Sequence, residues 1–300
     1  MLVNVDGIPG QGEVLSMRAV GICASDLAYL QFGSEVILGH ELVGQCDDGT
    51  AVAVEGLYGC GKCARCLEGQ YNLCDLAAQQ ALGIFNDGGM VERFRAPKER
   101  LVKLPPGLDM TSGSLVEPAS VAWHGVRVGG AREGLRVAVV GAGSVGILAV
   151  AAAQAQGAAE VSLESRYDHQ RELGERLGAT QPSGLYDVVI EAAGSTSAVQ
   201  RSVDLLVPGG TVAILGIHYD GLDVSHLALL AKEAKLIASM GYNSHDGKRD
   251  MEHAAEMLAV RPEIADALIT HRFPLEDAVE AFRVAADRKS GAIKVVVEVA

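Results

Sequence analysis

Short apolar runs alternate with polar, helix-like segments through the second half of the chain. The runs that read as strands are LRVAVV (135–140), EVSLES (160–165), YDVVIEAAG (186–194), GTVAILG (210–216) and KLIASM (235–240). An alanine-rich stretch follows the first run, and DHQRELGERLGA follows the second. Because strands that alternate with helices are typical of βαβ units, the pattern predicts a doubly wound parallel sheet.

The first of these strands runs directly into the glycine-rich turn GAGSVG, residues 141–146. Gly141 allows a tight turn, Gly143 lets the backbone approach a pyrophosphate, and Gly146 lets helix and strand pack closely. Ser144 and Val145 open the following helix, whose N-terminus favours an anion. We therefore expect these five residues to bind a dinucleotide; the alternative is a glycine-rich turn of some other α/β fold.

The end of the second strand bears on the choice between NADP and NAD. An acidic residue at this place binds the ribose 2′-hydroxyl of NAD, whereas a 2′-phosphate requires a basic one. The chain has Ser165, Arg166 and Tyr167 here. Glu164 precedes them, but side chains alternate along a strand, so it points to the other face if Ser165 faces the ribose. The sequence favours NADP and leaves NAD open.

Composition and charge narrow the functional classes. The 300 residues suggest two domains, and 49% hydrophobic residues with 36 glycines are typical of a compact α/β protein. A net charge of −13 argues against nucleic acid as a partner. No run approaches the 18 or more apolar residues of a membrane span, and the start MLVNVDGIPG lacks a basic region followed by an apolar block. We expect no membrane partner and a cytoplasmic location.

Four of the six cysteines lie within the stretch CGKCARCLEGQYNLC, residues 60–74. Cys60, Cys63, Cys66 and Cys74 provide the four thiolates of a closed tetrahedral Zn²⁺ site. A closed site has no open position, so this zinc is expected to be structural. The alternative is a pair of disulfides or a redox CxxC, which a reducing compartment disfavours.

A second candidate metal site involves residues that lie far apart in sequence. Cys23 occurs in VGICASDLAYL, and His40 and Glu41 are adjacent in ILGHELVG. A cysteine, a histidine and a carboxylate form a three-ligand zinc site with an open position. The alternative is a buried cysteine and a solvated histidine. The sixth cysteine, Cys46, is interpreted as a residue of the hydrophobic core.

These motifs resemble the zinc-dependent medium-chain alcohol dehydrogenase family, in its polyol, glucose and threonine dehydrogenase branch. The resemblance rests on GICASD, GHE, the four-cysteine spacing, LVEPASVAWHG, VAVVGAGSVG, DVVIEAAG, PGGTVAILG and the closing LITHRFPLEDAVEAFRVAADRKSGAIKVVVEV. It implies a GroES-like β-barrel catalytic domain with both zinc sites at 1–120 and a Rossmann domain at 121–263. A C-terminal segment, 264–300, would return to the catalytic domain.

The resemblance also assigns catalytic roles. Cys23 and His40 resemble catalytic zinc ligands, and LVEPAS offers Glu117 as the third, with Glu41 the other carboxylate that contacts the metal or its water. The alternative for each carboxylate is that it contacts a metal ligand and does not bind the metal itself. The cofactors implied are therefore two Zn²⁺ per chain and NADP(H) in preference to NAD(H).

The resemblance gives roles to two further residues beside the catalytic zinc ligands. Ser25 resembles the hydroxyl that relays the alcohol proton, and Asp26 the carboxylate that orients the His40 ring. Ala28 stands where relatives often carry a histidine, so the outer proton route of the family is not carried over.

The function implied is hydride transfer between NADP(H) and a secondary alcohol or polyol, or the matching ketone. The alternatives are a redox-inactive zinc- and nucleotide-binding protein of the same fold and an NAD-dependent polyol dehydrogenase. Tyr29, Phe32, Leu57 and Trp123 are candidates to line the substrate pocket, each with the alternative of a core position. The resemblance further implies a homodimer or homotetramer, paired through strand segments such as TVAILGIHY.

Overall fold

The structure, a computed structural model, describes residues 12–219, 221–287 and 289–300. The chain divides into two compact units. The first contains the chain up to Glu117 and again from Asn243 onward, and the second contains Pro118–Tyr242. The stretch MLVNVDGIPG, in which the sequence predicts no targeting signal, lies outside the described residues.

The elements follow in chain order. The strands are β1 (Glu13–Ile22), β2 (Glu41–Cys46), β3 (Ala51–Val54), β4 (Arg93–Ala96), β5 (Leu101–Lys103), β6 (Arg136–Val140), β7 (Glu160–Glu164), β8 (Tyr186–Glu191), β9 (Leu206–Ile214), β10 (Lys235–Ala238), β11 (Ser244–His245), β12 (Lys248–Arg249), β13 (Ile269–Pro274) and β14 (Lys294–Glu298). The α-helices are α1 (Ala24–Gln31), α2 (Ala64–Leu67), α3 (Met110–Gly113), α4 (Val116–Val128), α5 (Ser144–Ala155), α6 (Asp168–Arg176), α7 (Thr196–Asp204), α8 (His226–Lys232), α9 (Asp250–Val260), α10 (Glu263–Leu268) and α11 (Ala278–Ala286). Short 3-10 helices cover Tyr71–Leu73, Ala78–Gln80, Lys98–Arg100 and Leu275–Asp277.

The first unit is built on a seven-stranded sheet. Its order is β13-β14-β1-β2-β3-β5, with β4 paired to β1, and every pair is antiparallel except β13 with β14. Apolar side chains from distant parts of the chain fill its core, among them Leu15, Met17, Phe94 and Val297. Because β14 pairs with β1, the last strand of the chain lies beside the strand that precedes Cys23.

The segment 243–263 belongs to the first unit, whereas the sequence assigned it to the Rossmann domain. Its contacts explain the placement. The Asn243 amide donates to Asn72 Oδ1 at 3.0 Å, and Arg249 donates to the carbonyls of Glu99 and Leu101, both at 3.0 Å. An amphipathic helix such as α9 can cover either sheet, so its sequence pattern alone does not determine which unit it joins.

The second unit confirms the predicted parallel sheet. The strand order is β10-β9-β8-β6-β7, and all four pairs are parallel. Each predicted apolar run forms a strand, and β9 begins four residues earlier than its run, at Leu206. The segment TVAILGIHY contributes to β9, which lies inside the sheet between β8 and β10. It therefore offers no free edge for pairing across subunits, and the edge strand on that side is β10.

Candidate active site and cysteine cluster

The four clustered cysteines converge in the first unit. Their sulfur atoms all lie within 4.8 Å of one another, with Cys60 and Cys66 at 4.0 Å and Cys63 and Cys66 at 3.6 Å. A tetrahedron with zinc–sulfur bonds of about 2.3 Å has sulfur–sulfur edges of about 3.8 Å. The spacing thus fits one Zn²⁺ ion, and all four residues are free cysteines, without disulfides.

Backbone N–H groups in the loop point at the sulfurs. Cys63 N–H donates to Cys60 Sγ and Cys60 N–H to Cys74 Sγ, both at 3.4 Å. Backbone hydrogen bonds, first that of Lys62, lower the pKa of the Cys60 thiol to about 6, whereas burial raises the pKa of Cys66 to about 12. Thiolates that accept backbone hydrogen bonds are prepared for a metal, since the thiolate is the ligand form.

The second group consists of Cys23, His40 and Glu41, whose ligand atoms also lie within 4.8 Å of one another. Cys23 is the N-cap of α1, and Glu41 begins β2. Gly21 lies opposite Glu41 in the β1–β2 pairing, and a Cβ atom at Gly21 would collide with Glu41 Oε2. The glycine of GICASD therefore leaves room for the carboxylate beside Cys23 and His40.

Glu41 is held by a residue that the sequence analysis missed. Lys294 Nζ lies 2.6 Å from Glu41 Oε1 and 2.7 Å from Oε2, and both side chains are buried. Burial alone would lower the pKa of Lys294, but the Glu41 carboxylate raises it above its ordinary value. A lysine within the apolar strand KVVVE was the available signal, because lysine is almost never fully buried without a partner.

Ser25 and Asp26 flank the His40 ring on its two nitrogens. Ser25 Oγ lies 3.3 Å from Nε2, and Asp26 Oδ1 lies 3.2 Å from Nδ1. Asp26 Oδ2 also accepts the Cys23 N–H at 2.9 Å. Burial alone would lower the pKa of His40, but the Asp26 carboxylate, followed by Cys23, raises it well above its ordinary value. Asp26 therefore fixes both Cys23 and the histidine ring.

Glu117, in the first turn of α4, lies in the same first unit and is half-buried. Burial raises the pKa of its carboxyl to about 7, opposed by the charge of His40 and supported by that of Glu41. Among the described residues, the group with all ligand atoms within 4.8 Å contains Glu41 and not Glu117. The chemistry of the donor set, one thiol, one imidazole and nearby carboxylates, suits a Zn²⁺ ion with an open position.

The glycine-rich turn in the second unit has the geometry of a dinucleotide site. Gly141 has a φ of +108°, and a Cβ atom there would lie 2.7 Å from the Ala193 nitrogen. A Cβ at Gly146 would collide with the Gly141 carbonyl, whereas Gly143 faces open space within 4 Å. Gly143, the N-cap of α5, has no side chain that could cap the N–H groups at the start of this helix, which Ser144 and Val145 begin. These groups could bind a pyrophosphate.

The residues after β7 lie next to this turn, since the Gly141 N–H donates to the Glu164 carbonyl at 3.0 Å. Glu164 has its carboxylate oxygens 3.0 and 2.8 Å from Arg201 Nε on α7. Ser165 is half-buried, and Arg166 and Tyr167 are exposed, with the guanidinium 5.8 Å from the Tyr167 ring. The acidic residue at this strand end is therefore engaged, while the arginine is exposed.

A buried pair at the carboxyl ends of β8 and β9 was also missed. Glu191 Oε1 accepts the N–H groups of Ala193 and Gly194, both at 2.8 Å, and Oε2 lies 3.0 Å from His218 Nε2. The pair ties together the loops that follow two neighbouring strands, at the edge where ligands of parallel sheets bind. The polar residue at the end of the apolar run YDVVIE was its only signal in the sequence.

Two family models cover most of the chain. The alcohol dehydrogenase GroES-like domain matches residues 10–106, and the glucose dehydrogenase C-terminus matches residues 110–299. The chain belongs to the zinc-dependent medium-chain alcohol dehydrogenase family. Membership makes it an oxidoreductase, and it confirms the expected fold class of a GroES-like domain with a Rossmann-type parallel sheet.

Named relatives place this dehydrogenase in the polyol branch. Sorbitol dehydrogenase 1 of Saccharomyces cerevisiae is 31% identical over 311 residues, which cover 89% of this chain and 85% of the relative. The structure of L-idonate 5-dehydrogenase from Escherichia coli matches with a TM-score of 0.87 at 27% identity, over 96% of this chain and 91% of that one. A zinc-binding dehydrogenase from Sinorhizobium meliloti, bound to NADP, matches with a TM-score of 0.84 at 29% identity, over 97% and 94%.

The remaining predicted positions in this dehydrogenase differ in exposure. Leu57 is buried, Tyr29 and Trp123 are half-buried, and Phe32 is 70% exposed. Cys46, half-buried at the end of β2, packs against the core of the first unit. None of the described helices is both long and apolar enough to cross a membrane.

Proposed function

We propose that the protein is a zinc-dependent oxidoreductase that transfers a hydride between NADP(H) and a secondary alcohol or polyol, or the matching ketone. The observation that carries the proposal is the convergence of Cys23, His40 and Glu41 within 4.8 Å in a chain of this family. Similarity to a sorbitol dehydrogenase supports a polyol as substrate.

Two zinc sites are part of the proposal. Cys60, Cys63, Cys66 and Cys74 would hold a structural ion, and Cys23 and His40 a catalytic one, with Glu41 or Glu117 as the third ligand. A catalytic Zn²⁺, when bound, polarises the substrate oxygen and lowers the pKa of the alcohol. Glu41 belongs to the tight group, but both its oxygens contact Lys294. Glu117 is half-buried, and the charges of His40 and Glu41 both act on its carboxyl.

The protein's own residues would move the proton and fix the ligands. Ser25 is buried and its hydroxyl lies 3.3 Å from His40 Nε2, beside the residues that would hold the ion, so this hydroxyl could relay the proton of the alcohol. Asp26 holds the His40 ring and the Cys23 backbone in place, which limits their motion.

The preference for NADP rests on the end of β7. Arg166 is exposed beside Ser165 and can pair with a 2′-phosphate, and Glu164 contacts Arg201. An NAD-dependent polyol dehydrogenase, the alternative, would need a carboxylate that reaches the ribose hydroxyls. The NADP-bound relative supports the same choice.

We also propose self-association and a reducing location. β10 is an edge strand, and Leu227 and Leu230 of α8 are 73% and 63% exposed, so a second copy could cover this surface. Six free thiols, four of them within 4.8 Å, fit a cytoplasm that keeps cysteines reduced.

Metal analysis combined with a substrate panel tests the function. We expect two zinc ions per chain, and NADPH-linked turnover with some member of a panel of secondary alcohols, polyols and their ketones. A single zinc that is lost only with the cysteine loop, together with no turnover on the panel, would contradict catalysis. That result would favour the redox-inactive binding protein.

A further inference from the structure

A cavity of about 660 Å³ lies in the first unit, apart from the Cys23–His40 group. The cysteine loop, the start of β5 and the β11–β12 hairpin form its walls. Its volume is in the range of small-molecule sites, roughly 300–1,000 Å³. The walls carry Glu55, Glu68, Glu99 and Asp246, and two tyrosines and two leucines add apolar surface.

Glu55 is the unusual residue of this cavity. Its side chain is 1% exposed, and Tyr71 donates to its Oε1 at 2.6 Å. Oε2 is buried and has no hydrogen-bond donor among the described residues. The nearest cation is Arg249 Nη1, at 3.6 Å. Because a buried carboxylate oxygen without a donor is costly, a donor from a ligand would stabilise it.

The charges on the walls favour a cation. Four carboxylates face two basic side chains, Lys98 and Arg249. Both basic groups already have acidic partners: Lys98 Nζ lies 2.8 Å from a Glu13 oxygen, and Arg249 Nη2 lies 3.2 Å from a Glu252 oxygen. Arg249 also donates to two backbone carbonyls. The excess of carboxylates repels anions, which separates this cavity from any site for a dinucleotide.

The cavity also has apolar walls suited to an alkyl chain. Leu67, which is 76% exposed, and Leu101 line it together with the rings of Tyr58 and Tyr71. An inorganic ion makes no use of such surface. An organic ion can place its charge at the carboxylates and its carbons against the leucines.

We propose that this cavity binds a small organic cation with a primary ammonium group, which donates to Glu55 Oε2. The carboxylates of Glu68, Glu99 and Asp246 attract the cation, and the leucines and tyrosines contact its carbon chain. The proposal does not depend on the dehydrogenase function, because it uses none of the residues assigned to catalysis.

Binding of such a cation should depend on pH. Burial raises the pKa of Glu55 to about 7; the hydrogen bond from Tyr71 and the charges of Arg249 and Arg100 lower it, and that of Glu252 raises it. The ammonium pairs with the ionised carboxylate. Affinity should therefore be highest above pH 7 and fall as the pH drops below the pKa and Glu55 becomes protonated.

The test is calorimetric titration of the purified full-length protein with 1,5-diaminopentane at pH 8. Glutaramide, a neutral five-carbon diamide, is the matched control ligand. We expect the diamine to bind with one-to-one stoichiometry, at least about tenfold more weakly at pH 6, and the diamide not to bind. Glu55→Gln should weaken diamine binding at least about tenfold, while Glu133→Gln, an exposed position in the second unit, leaves it unchanged.

Three results would overturn the proposal. The first is no diamine binding at all, and the second is equal diamine affinity in the Glu55→Gln and Glu133→Gln variants. The third is Mg²⁺ binding, titrated separately, that Glu55→Gln abolishes while the diamine affinity stays unchanged, which would assign the cavity to an inorganic ion. If circular dichroism shows that Glu55→Gln is not folded, the diamine titration is carried out on the double variant Glu99→Gln/Asp246→Asn, in which both substituted positions are exposed. It should weaken binding about threefold or more, and unchanged affinity would refute the proposal.

Discussion

Lys294 and Glu41 form a fully buried ion pair across 253 positions of sequence, with Nζ–O distances of 2.6 and 2.7 Å. The pair joins β14, the last strand, to Glu41, the first residue of β2. His40 immediately precedes Glu41 in the sequence. Lys294 Nζ also donates to the Ile22 carbonyl at 3.2 Å, next to Cys23. The end of the chain thus positions the residues at the candidate catalytic site.

Lys294→Met should destabilise the protein by about 3–5 kcal/mol, because it leaves the Glu41 charge buried without its partner. Urea unfolding of the variant measures the loss. The double variant Lys294→Met/Glu41→Gln should recover much of the stability, since no buried charge remains. Lys248→Met, which breaks an exposed ion pair with Glu256, is the control and should cost less than about 1 kcal/mol. A Lys294→Met variant no less stable than this control would contradict the assignment.

Cys23→Ser should lower kcat by more than about 100-fold, since replacing residues that merely support metal ligands already costs about 10–100-fold. Binding of NADPH, measured by calorimetry, should stay close to that of the unmodified protein, because the glycine-rich turn belongs to the other unit. Cys46→Ser is the matched control, at a cysteine outside both metal groups. Turnover retained in Cys23→Ser would remove this thiol from the mechanism.

Cys63→Ala should lower the melting temperature by about 5 °C or more, because under the proposal the cysteine loop is held together by a bound metal. Zinc content should fall by one ion per chain. Differential scanning calorimetry and metal analysis measure the two effects, with Cys46→Ala as control. If Cys63→Ala melted at the same temperature as Cys46→Ala, the loop would not need a metal.

Arg166→Ala should raise the KM for NADPH by about tenfold or more and leave the KM for NADH within about twofold, because the guanidinium would pair with the 2′-phosphate. Steady-state kinetics with both nucleotides gives the comparison. Arg171→Ala, on the exposed face of α6, is the control and should change neither value. Equal effects of Arg166→Ala on both nucleotides would exclude a 2′-phosphate contact.

Leu227→Glu/Leu230→Glu should shift the protein from a dimer or tetramer to a monomer, because it places charges on the exposed apolar face of α8. Light scattering after gel filtration measures the mass. Val260→Glu, an equally exposed apolar position in the first unit, is the control. A monomer in the unmodified protein, or no shift in the double variant, would contradict self-association through this surface.

The sequence by itself determined the parallel sheet, the glycine-rich turn and the cysteine cluster. Each is encoded locally: apolar runs predict strands, GAGSVG specifies its own turn, and four cysteines within fifteen residues are close in any compact fold. Physical constraints over short stretches of chain suffice for such features, so their residues could be named in advance.

Only the tertiary structure decided which distant side chains meet. It brought Lys294 to Glu41 and His218 to Glu191, tied Glu164 to Arg201, and placed residues 243–263 in the first unit. It also left Glu55 buried with one oxygen lacking a donor. A periodic pattern shows which positions are buried but not their partners, because long-range pairing is set by how strands and helices pack and not by local propensity.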